Sequence, residues 1–222
     1  MPPKYPLFNS IAIQSMIHNI PTLSSPFYLF DDDIVIRKRL PVTTIIDANK
    51  SIVYLGGDTF NIRIQPRTLY DGNIHTAINM GLRKRSADLL KSKGRYFIAS
   101  HGPLLLYREI GIKIWNEFRV EMNSLISHPF RMPADPSIQT LYIYVGYSNY
   151  YTFLKARKML RFVMLDSPNL QIIRRKLQNA FSDQLAYFIC INDDLPSLTA
   201  EIQNLLNKAY ETIFSKRCSF ES

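Results

Sequence analysis

The stretch YDGNIHTAINMGLRKRSADLLKSKGRYFIASHGPLLLYREIGIKIWNEFR, residues 70–119, is the part of the chain from which the fold is best predicted. Its first half predicts a helix that begins at Asn73, because an asparagine satisfies free N–H groups at a helix start and apolar residues follow at helical spacing. Gly94 is placed to end that helix. The second half predicts a short strand at 96–99 and a second strand at 104–114.

The segments on either side of this stretch differ in their patterns. Residues 26–66 contain five short β-rich runs separated by turn residues, which predicts an antiparallel β-meander. Residues 1–25 predict an N-terminal arm and a short helix capped by Asn9. Beyond residue 119 the pattern mixes strands at 141–147, 161–165 and 185–191 with helices at 148–160, 169–181 and 196–216.

These patterns together predict the α+β class. An N-terminal antiparallel β-meander precedes a mixed helix/strand half, in a single compact unit. The single α+β domain runs over 26–222, with 26–66 β-rich and 70–222 mixed, and 1–25 forms the arm and short helix. At 222 residues the chain is long enough to bury a sizeable core.

The positive charge of the chain is concentrated in its middle. The net charge is +9, and residues 74–176 hold 17 Lys/Arg against 6 Asp/Glu, which is +11. Such a field attracts polyanions, whether RNA, DNA or an anionic lipid surface. Two cysteines, Cys190 and Cys218, make no disulfide framework, and no apolar run reaches about 18 residues, so neither a transmembrane helix nor a secreted disulfide scaffold is expected.

No catalytic signature is present in the sequence. The motifs Gly-x-Ser-x-Gly, Gly-Lys-Ser/Thr and His-Glu-x-x-His are absent, so the sequence predicts a binding protein that is not an enzyme, with no cofactor and no metal. The run Asp31-Asp32-Asp33 is interpreted as a turn, because consecutive side chains point in different directions. Residues 127–137 contain three prolines and a histidine and predict a long loop, which in a compact domain often forms a working surface.

Two sets of basic residues are candidate binding sites. The set expected to contact an anionic surface comprises Arg83, Lys84, Lys91, Lys93 and Arg95. The set expected to contact RNA in an alternative interpretation comprises Lys155, Arg157, Lys158, Arg174, Arg175 and Lys176. Cations of either set would meet phosphate groups.

The N-terminal sequence contains a Pro-Pro-x-Tyr motif formed by Pro2, Pro3 and Tyr5. Two prolines favour a polyproline II segment, which is the form that WW domains bind. This motif, the basic charge and the order of strand, helix and strand at 60–114 resemble the matrix proteins of rhabdoviruses. The resemblance covers about a quarter of the chain, and only the three motif residues carry over individually.

This resemblance implies a viral structural protein of matrix type. Such a protein binds an anionic membrane surface and the viral nucleocapsid, self-associates, and recruits a WW-domain host protein during budding. Its expected location is the host cytoplasm, the inner face of the membrane and the virion, with no transmembrane segment. The alternative is an RNA-binding protein such as a small viral nucleoprotein.

Overall fold

The computed structural model describes residues 7–41, 46–47, 52–55, 59–63, 81–82, 84–86, 88–90, 95–99, 102–149, 153–156 and 159–215. Residues at 81–82, 84–86 and 88–89 are helical. The other elements are, in chain order, α1 (Ser10–Ser15), a 3-10 helix (Ile17–Asn19), β1 (Phe27–Leu29), β2 (Ile34–Ile36), β3 (Ile46–Asp47), β4 (Ile52–Leu55), β5 (Thr59–Arg63), β6 (Arg95–Ala99), β7 (Leu104–Leu106), α2 (Arg108–Glu117), α3 (Arg119–Ser127), α4 (Ile138–Asn149), β8 (Phe153–Ala156), β9 (Leu160–Leu165), α5 (Leu170–Ser182), β10 (Phe188–Asp193) and α6 (Ala200–Glu211).

The mixture of helices and small sheets confirms the predicted α+β class, but the strands of 26–66 do not pair as a meander. Within the described part of that segment, only β3 and β4 pair with each other. β1 pairs antiparallel with β7, β2 with β10 and β5 with β6, while β4 also pairs in parallel with β8. Strands of two to five residues bury little apolar area when they pair only with each other. Most of them pair here with strands from later in the chain.

The middle of the chain is more helical than its pattern predicts. The strand expected at 104–114 is limited to β7, and the chain then enters α2. The strand expected at 141–147 is part of α4, and β8 lies where the helix at 148–160 was expected. In α4 the consecutive residues 141–143 are all buried, so this helix has no polar face whose spacing would reveal it.

The C-terminal part follows the sequence prediction closely. β9 and β10 are parallel neighbours, and α5 connects them. Asn169 caps α5 by accepting from the backbone N–H groups of Gln171 and Ile172, and Thr199 caps α6. We call the apolar cluster between these elements the C-terminal core; it includes Val163, Leu165, Ile173, Leu177, Ile189 and Ile202.

A second apolar cluster, which we call the helical core, joins α1, β7, α2, α3 and α4. Its buried members include Ala12, Leu104, Ile110, Ile114, Met122, Leu125 and Leu141. Trp115 Nε1 donates to the carbonyl of Ser15 at 2.6 Å, which joins α2 to the end of α1. The loop between α3 and α4 connects two helices of this core.

None of the described helices is both long enough and apolar enough to cross a membrane.

Candidate active site

A buried asparagine from the N-terminal part of the chain holds the loop between α3 and α4. Asn9 caps α1, because its Oδ1 accepts from the N–H groups of Ile11 and Ala12 at 3.2 and 3.4 Å. Its Nδ2 faces the loop and donates to the carbonyl oxygens of His128 and Phe130 at 3.4 and 3.3 Å. One fully buried amide therefore fixes both the start of a helix and the path of a distant loop.

Asp135 completes this polar cluster and orients a histidine. Its side chain is 2% exposed, and its Oδ2 accepts from Asn9 Nδ2 at 3.3 Å and from the N–H of Met132 at 2.9 Å. Its Oδ1 lies 2.6 Å from His128 Nδ1. The imidazole of His128 keeps 32% of its side-chain surface exposed, so a buried carboxylate contacts one edge of a ring that is about one third open to solvent.

The described helical residues at 81–82 and 84–86 hold the far end of the same loop. Ser86 is buried, donates to the carbonyl of Leu82 and accepts from the N–H of Ser137 at 2.6 Å. A Cβ added at Gly81 would lie 2.5 Å from Pro133 Cβ, so the helix backbone approaches the loop closely there. The loop is thus fixed from two sides, although it has no regular secondary structure of its own.

A cation lies three residues after the histidine. Arg131 Nη2 donates to Ser10 Oγ at 2.8 Å, and Ser10 is the first residue of α1. A guanidinium carries five N–H donors, so this one bond leaves donors with which the group can contact a ligand. The arrangement brings an oriented imidazole and a guanidinium to the same half-exposed loop.

The run Asp31-Asp32-Asp33 forms a turn between β1 and β2, as predicted. The carbonyl of Asp33 accepts from the N–H of Ile191, and its Oδ2 accepts from Cys190 Sγ at 3.1 Å. Burial raises the pKa of the Cys190 thiol, and the Asp33 carboxylate raises it further, so this thiol is not a nucleophile. Within the described ranges, no group of three or more His, Cys, Asp or Glu side chains is arranged to hold a metal ion.

The predicted anionic-surface set can be located only in part. Arg83, Lys91 and Lys93 lie outside the described residues. Lys84 is exposed and pairs with Asp88 at 3.1 Å, and Arg95 lies in β6 opposite Arg63. The motif residues Pro2, Pro3 and Tyr5 also lie outside the described residues.

The predicted RNA-contact set can also be located only in part. Arg157 and Lys158 lie outside them, and Lys155 is in β8. Arg174 and Arg175 are exposed on α5. Lys176 donates instead to the carbonyl of Met164 at 2.7 Å and to Asp166 Oδ1 at 2.5 Å, so its charge already has an acidic partner at the end of β9.

Comparison with known proteins gives distant relatives of one kind. No protein-family model matches the chain. A capsular polysaccharide phosphotransferase of Haemophilus influenzae is 25% identical over 198 residues, which cover 85% of this chain and 52% of that protein. A capsular polysaccharide phosphotransferase of Neisseria meningitidis serogroup A is 24% identical over 239 residues, which cover 97% and 40%. An exopolysaccharide phosphotransferase of Streptomyces coelicolor is 24% identical over 200 residues, which cover 86% and 31%.

These relatives overturn the function expected from the sequence. The matrix-protein resemblance, its RNA-binding alternative and the expectation of a protein that is not an enzyme are wrong, because the similarity to phosphotransferases covers 85% or more of the chain. A short proline-tyrosine motif and a basic charge are compatible with many functions, which is why they misled. The expected partners and basic contact residues stay predictions. The chain spans about a third to a half of the length of the curated relatives it matches.

The sequence did not identify His128 and Asp135 as a catalytic pair, although it predicted that their loop forms a working surface. The two residues are seven apart, and Asn9 lies more than a hundred residues away. No local spacing pattern brings these three together. The available signal was the accumulation of polar residues and prolines in a loop flanked by apolar helices.

Proposed function

We propose that the chain is part of a polysaccharide phosphotransferase, an enzyme that joins a phosphate-containing group to a hydroxyl of a carbohydrate. Support for the class of reaction comes from the relatives described above. Support for the place comes from one observation, which is the 2.6 Å contact of Asp135 Oδ1 with the half-exposed imidazole of His128. General-base catalysis commonly uses a carboxylate that hydrogen-bonds to an imidazole, which in turn hydrogen-bonds to the reacting hydroxyl.

His128 is the base in this proposal. When Nδ1–H donates to Asp135, the lone pair of the ring is on Nε2, on the edge away from the carboxylate. Nε2 takes the proton of the attacking hydroxyl while its oxygen forms a new bond to phosphorus. The bond from phosphorus to the leaving group breaks at the same time, and the leaving group takes the electron pair.

Arg131 is the phosphate-binding residue. Phosphoryl transfer is accelerated mainly by positioning and by stabilising charge on the phosphate oxygens, and a guanidinium does both through paired N–H donors. Its bond to Ser10 Oγ holds the side chain near the start of α1. Arg131→Lys keeps the charge and loses the fork, so we expect it to weaken donor binding, which is measured as a higher KM with a smaller change in kcat.

Product detection tests the proposal directly. The purified chain is incubated with nucleoside triphosphates or nucleoside-diphosphate sugars as donors and neutral oligosaccharides as acceptors, and ³¹P NMR follows the appearance of a phosphate ester. An ester signal that requires both acceptor and protein supports the proposal. The absence of any ester with every donor, from protein that is folded by circular dichroism, contradicts it.

A further inference from the structure

Two phenylalanine side chains form an exposed pair beside the candidate active site. Phe8 and Phe130 are 70% and 63% exposed, and their ring centroids lie 5.7 Å apart with the planes inclined by 14°. Single exposed apolar side chains are common on protein surfaces. The two rings are stacked on each other and both are mostly exposed, so the stack presents aromatic surface to solvent beside the loop, which is typical of a binding surface.

The backbone at both phenylalanines is held by the hydrogen bonds that build the site. The N–H of Phe8 donates to the carbonyl of Pro129 at 2.9 Å, and Asn9 Nδ2 donates to the carbonyl of Phe130 at 3.3 Å. Both backbones are therefore fixed to the loop that carries His128. We call this pair the aromatic platform. A fixed platform loses little conformational entropy when a ligand stacks on it.

The platform lies within reach of the proposed base. Phe130 is two residues after His128, so at most about 7 Å of chain separates their Cα atoms. The platform and the imidazole therefore belong to the same short stretch of the loop. The platform itself is uncharged, whereas the next residue, Arg131, is cationic. The same loop therefore offers apolar surface to a neutral part of a substrate and a cation to a phosphate-bearing part.

We propose that Phe8 and Phe130 form the subsite for a neutral pyranose ring of the carbohydrate acceptor. A hexopyranose chair has faces of polarised C–H bonds and hydroxyls around its rim. The C–H face is attracted to the negative face of an aromatic ring, and the rim hydroxyls stay free to react. This inference rests on the proposed function, since it names the substrate class of the same site.

Saturation-transfer NMR measures this contact without requiring turnover. The probes are neutral oligosaccharides of glucose, galactose, mannose and N-acetylglucosamine, one at a time, with the full chain. We expect saturation to reach the ring C–H protons of at least one probe, and Phe8→Ala together with Phe130→Ala to weaken its affinity by about tenfold. Phe8→Tyr and Phe130→Tyr keep the aromatic faces and should keep binding.

Two control variants separate this inference from the proposed function. Phe214→Ala removes a 54% exposed phenylalanine after α6 and should leave oligosaccharide binding unchanged. His128→Ala should lower the rate of transfer by about 10²–10⁴-fold while binding persists. Sugar binding that depends on the platform in a protein with no transfer activity would support the subsite and count against the proposed function.

Other outcomes overturn the subsite. Saturation of no oligosaccharide, or equal saturation in the protein without the two phenylalanines, contradicts it. Saturation of the base of uridine monophosphate that is lost in the double variant, with none of the sugars bound, assigns the platform to a nucleotide. Flotation with lipid vesicles that is lost in the double variant, again without sugar binding, assigns it to a membrane surface.

Discussion

The helical core and the C-terminal core bury similar apolar side chains but differ in the polar groups they bury. Among the described residues, the buried polar side chains all lie at or before residue 140, and they are Asn9, Ser15, His18, Ser86, Asp135 and Thr140. In the C-terminal core, helix caps and ion pairs lie at the surface instead. A buried polar group requires a specific partner, so the helical part of the molecule fixes one arrangement of its loop.

The buried polar side chains and the candidate active site lie in the same part of the molecule. Apolar packing alone tolerates many substitutions that conserve volume, whereas a hydrogen-bonded cluster fails when one member is lost. The loop that carries His128 is the one fixed by such a cluster. We interpret the C-terminal unit of β9, α5 and β10 as structural support for the molecule.

The two asparagine caps give the sharpest test of this comparison. Asn9→Asp keeps the cap of α1 but loses all donors of Nδ2 and places a carboxylate against Asp135, so we expect a loss of about 3 kcal/mol or more in the free energy of unfolding. Asn169→Asp keeps the cap of the exposed α5 and adds a favourable charge at a helix start, so we expect no loss. Urea denaturation of the two variants measures both.

Equal changes in the free energy of unfolding of the two variants would contradict the proposed difference between the two cores. It would mean that Asn9 acts only as a cap and that the loop is held by other contacts. Asn9→Ala then offers a second measurement, because it removes the cap as well. We expect Asn9→Ala to cost more than Asn169→Ala, for which the loss of a cap predicts about 1 kcal/mol.

Gly111 tests how tightly the helical core is packed. A Cβ at this position would overlap the hydroxyl of Tyr142 and approach His18 Cβ to 2.8 Å. We expect Gly111→Ala to lower the free energy of unfolding by about 1–3 kcal/mol, although alanine favours helices. Asn116→Ala on the exposed side of the same helix is the control and should be neutral or stabilising. A stable Gly111→Ala protein would show that the contact between α2 and α4 is loose.

His18 makes the stability of the helical core depend on pH. Burial lowers the pKa of its imidazole below the ordinary value of 6.5, a hydrogen bond with Ser15 opposes this shift, and the Arg108 guanidinium lowers the pKa further. The folded state therefore disfavours the proton, while the unfolded state binds it below about pH 6.5. The contribution of neutral His18 to stability is fully present above that pH and is lost as the pH falls towards the lowered folded pKa.

His18→Phe removes this titration and keeps a ring against Trp115. We expect the unfolding free energy of the variant to fall less than that of the natural chain between about pH 7 and pH 5. No histidine occurs after residue 128, so the C-terminal core contributes no histidine titration. Identical slopes in the two proteins would contradict the lowered pKa.

The smallest effect is expected at the end of β9. A hydrogen bond from Lys176 lowers the pKa of the exposed Asp166 carboxyl. Lys176→Met should raise that pKa towards its ordinary value, with little change in the denaturation midpoint, because exposed ion pairs contribute little to stability. An NMR titration of Asp166 measures it, and Arg175→Met, which alters a neighbouring exposed cation, is the control. An unchanged Asp166 pKa would show that the pair is absent in solution.

The C-terminal elements were predicted from the sequence, whereas α4 and the candidate site were not. β9, α5, β10 and α6 were predicted because their caps are local and their buried residues recur at regular spacing, as from Ile173 to Leu177 and Ala180. α4 was mistaken for a strand because Leu141, Tyr142 and Ile143 are all buried. The candidate site was not assembled, because its three polar members come from two distant segments and no local rule joins them.

The proposed function depends above all on the imidazole held by Asp135, which takes a proton during transfer to a carbohydrate hydroxyl. It is tested most directly by the rate of phosphate-ester formation in His128→Ala, measured by ³¹P NMR at saturating donor and acceptor beside the natural chain. We expect a rate lower by about 10²–10⁴-fold with oligosaccharide binding retained. Equal rates in a folded His128→Ala protein would contradict it.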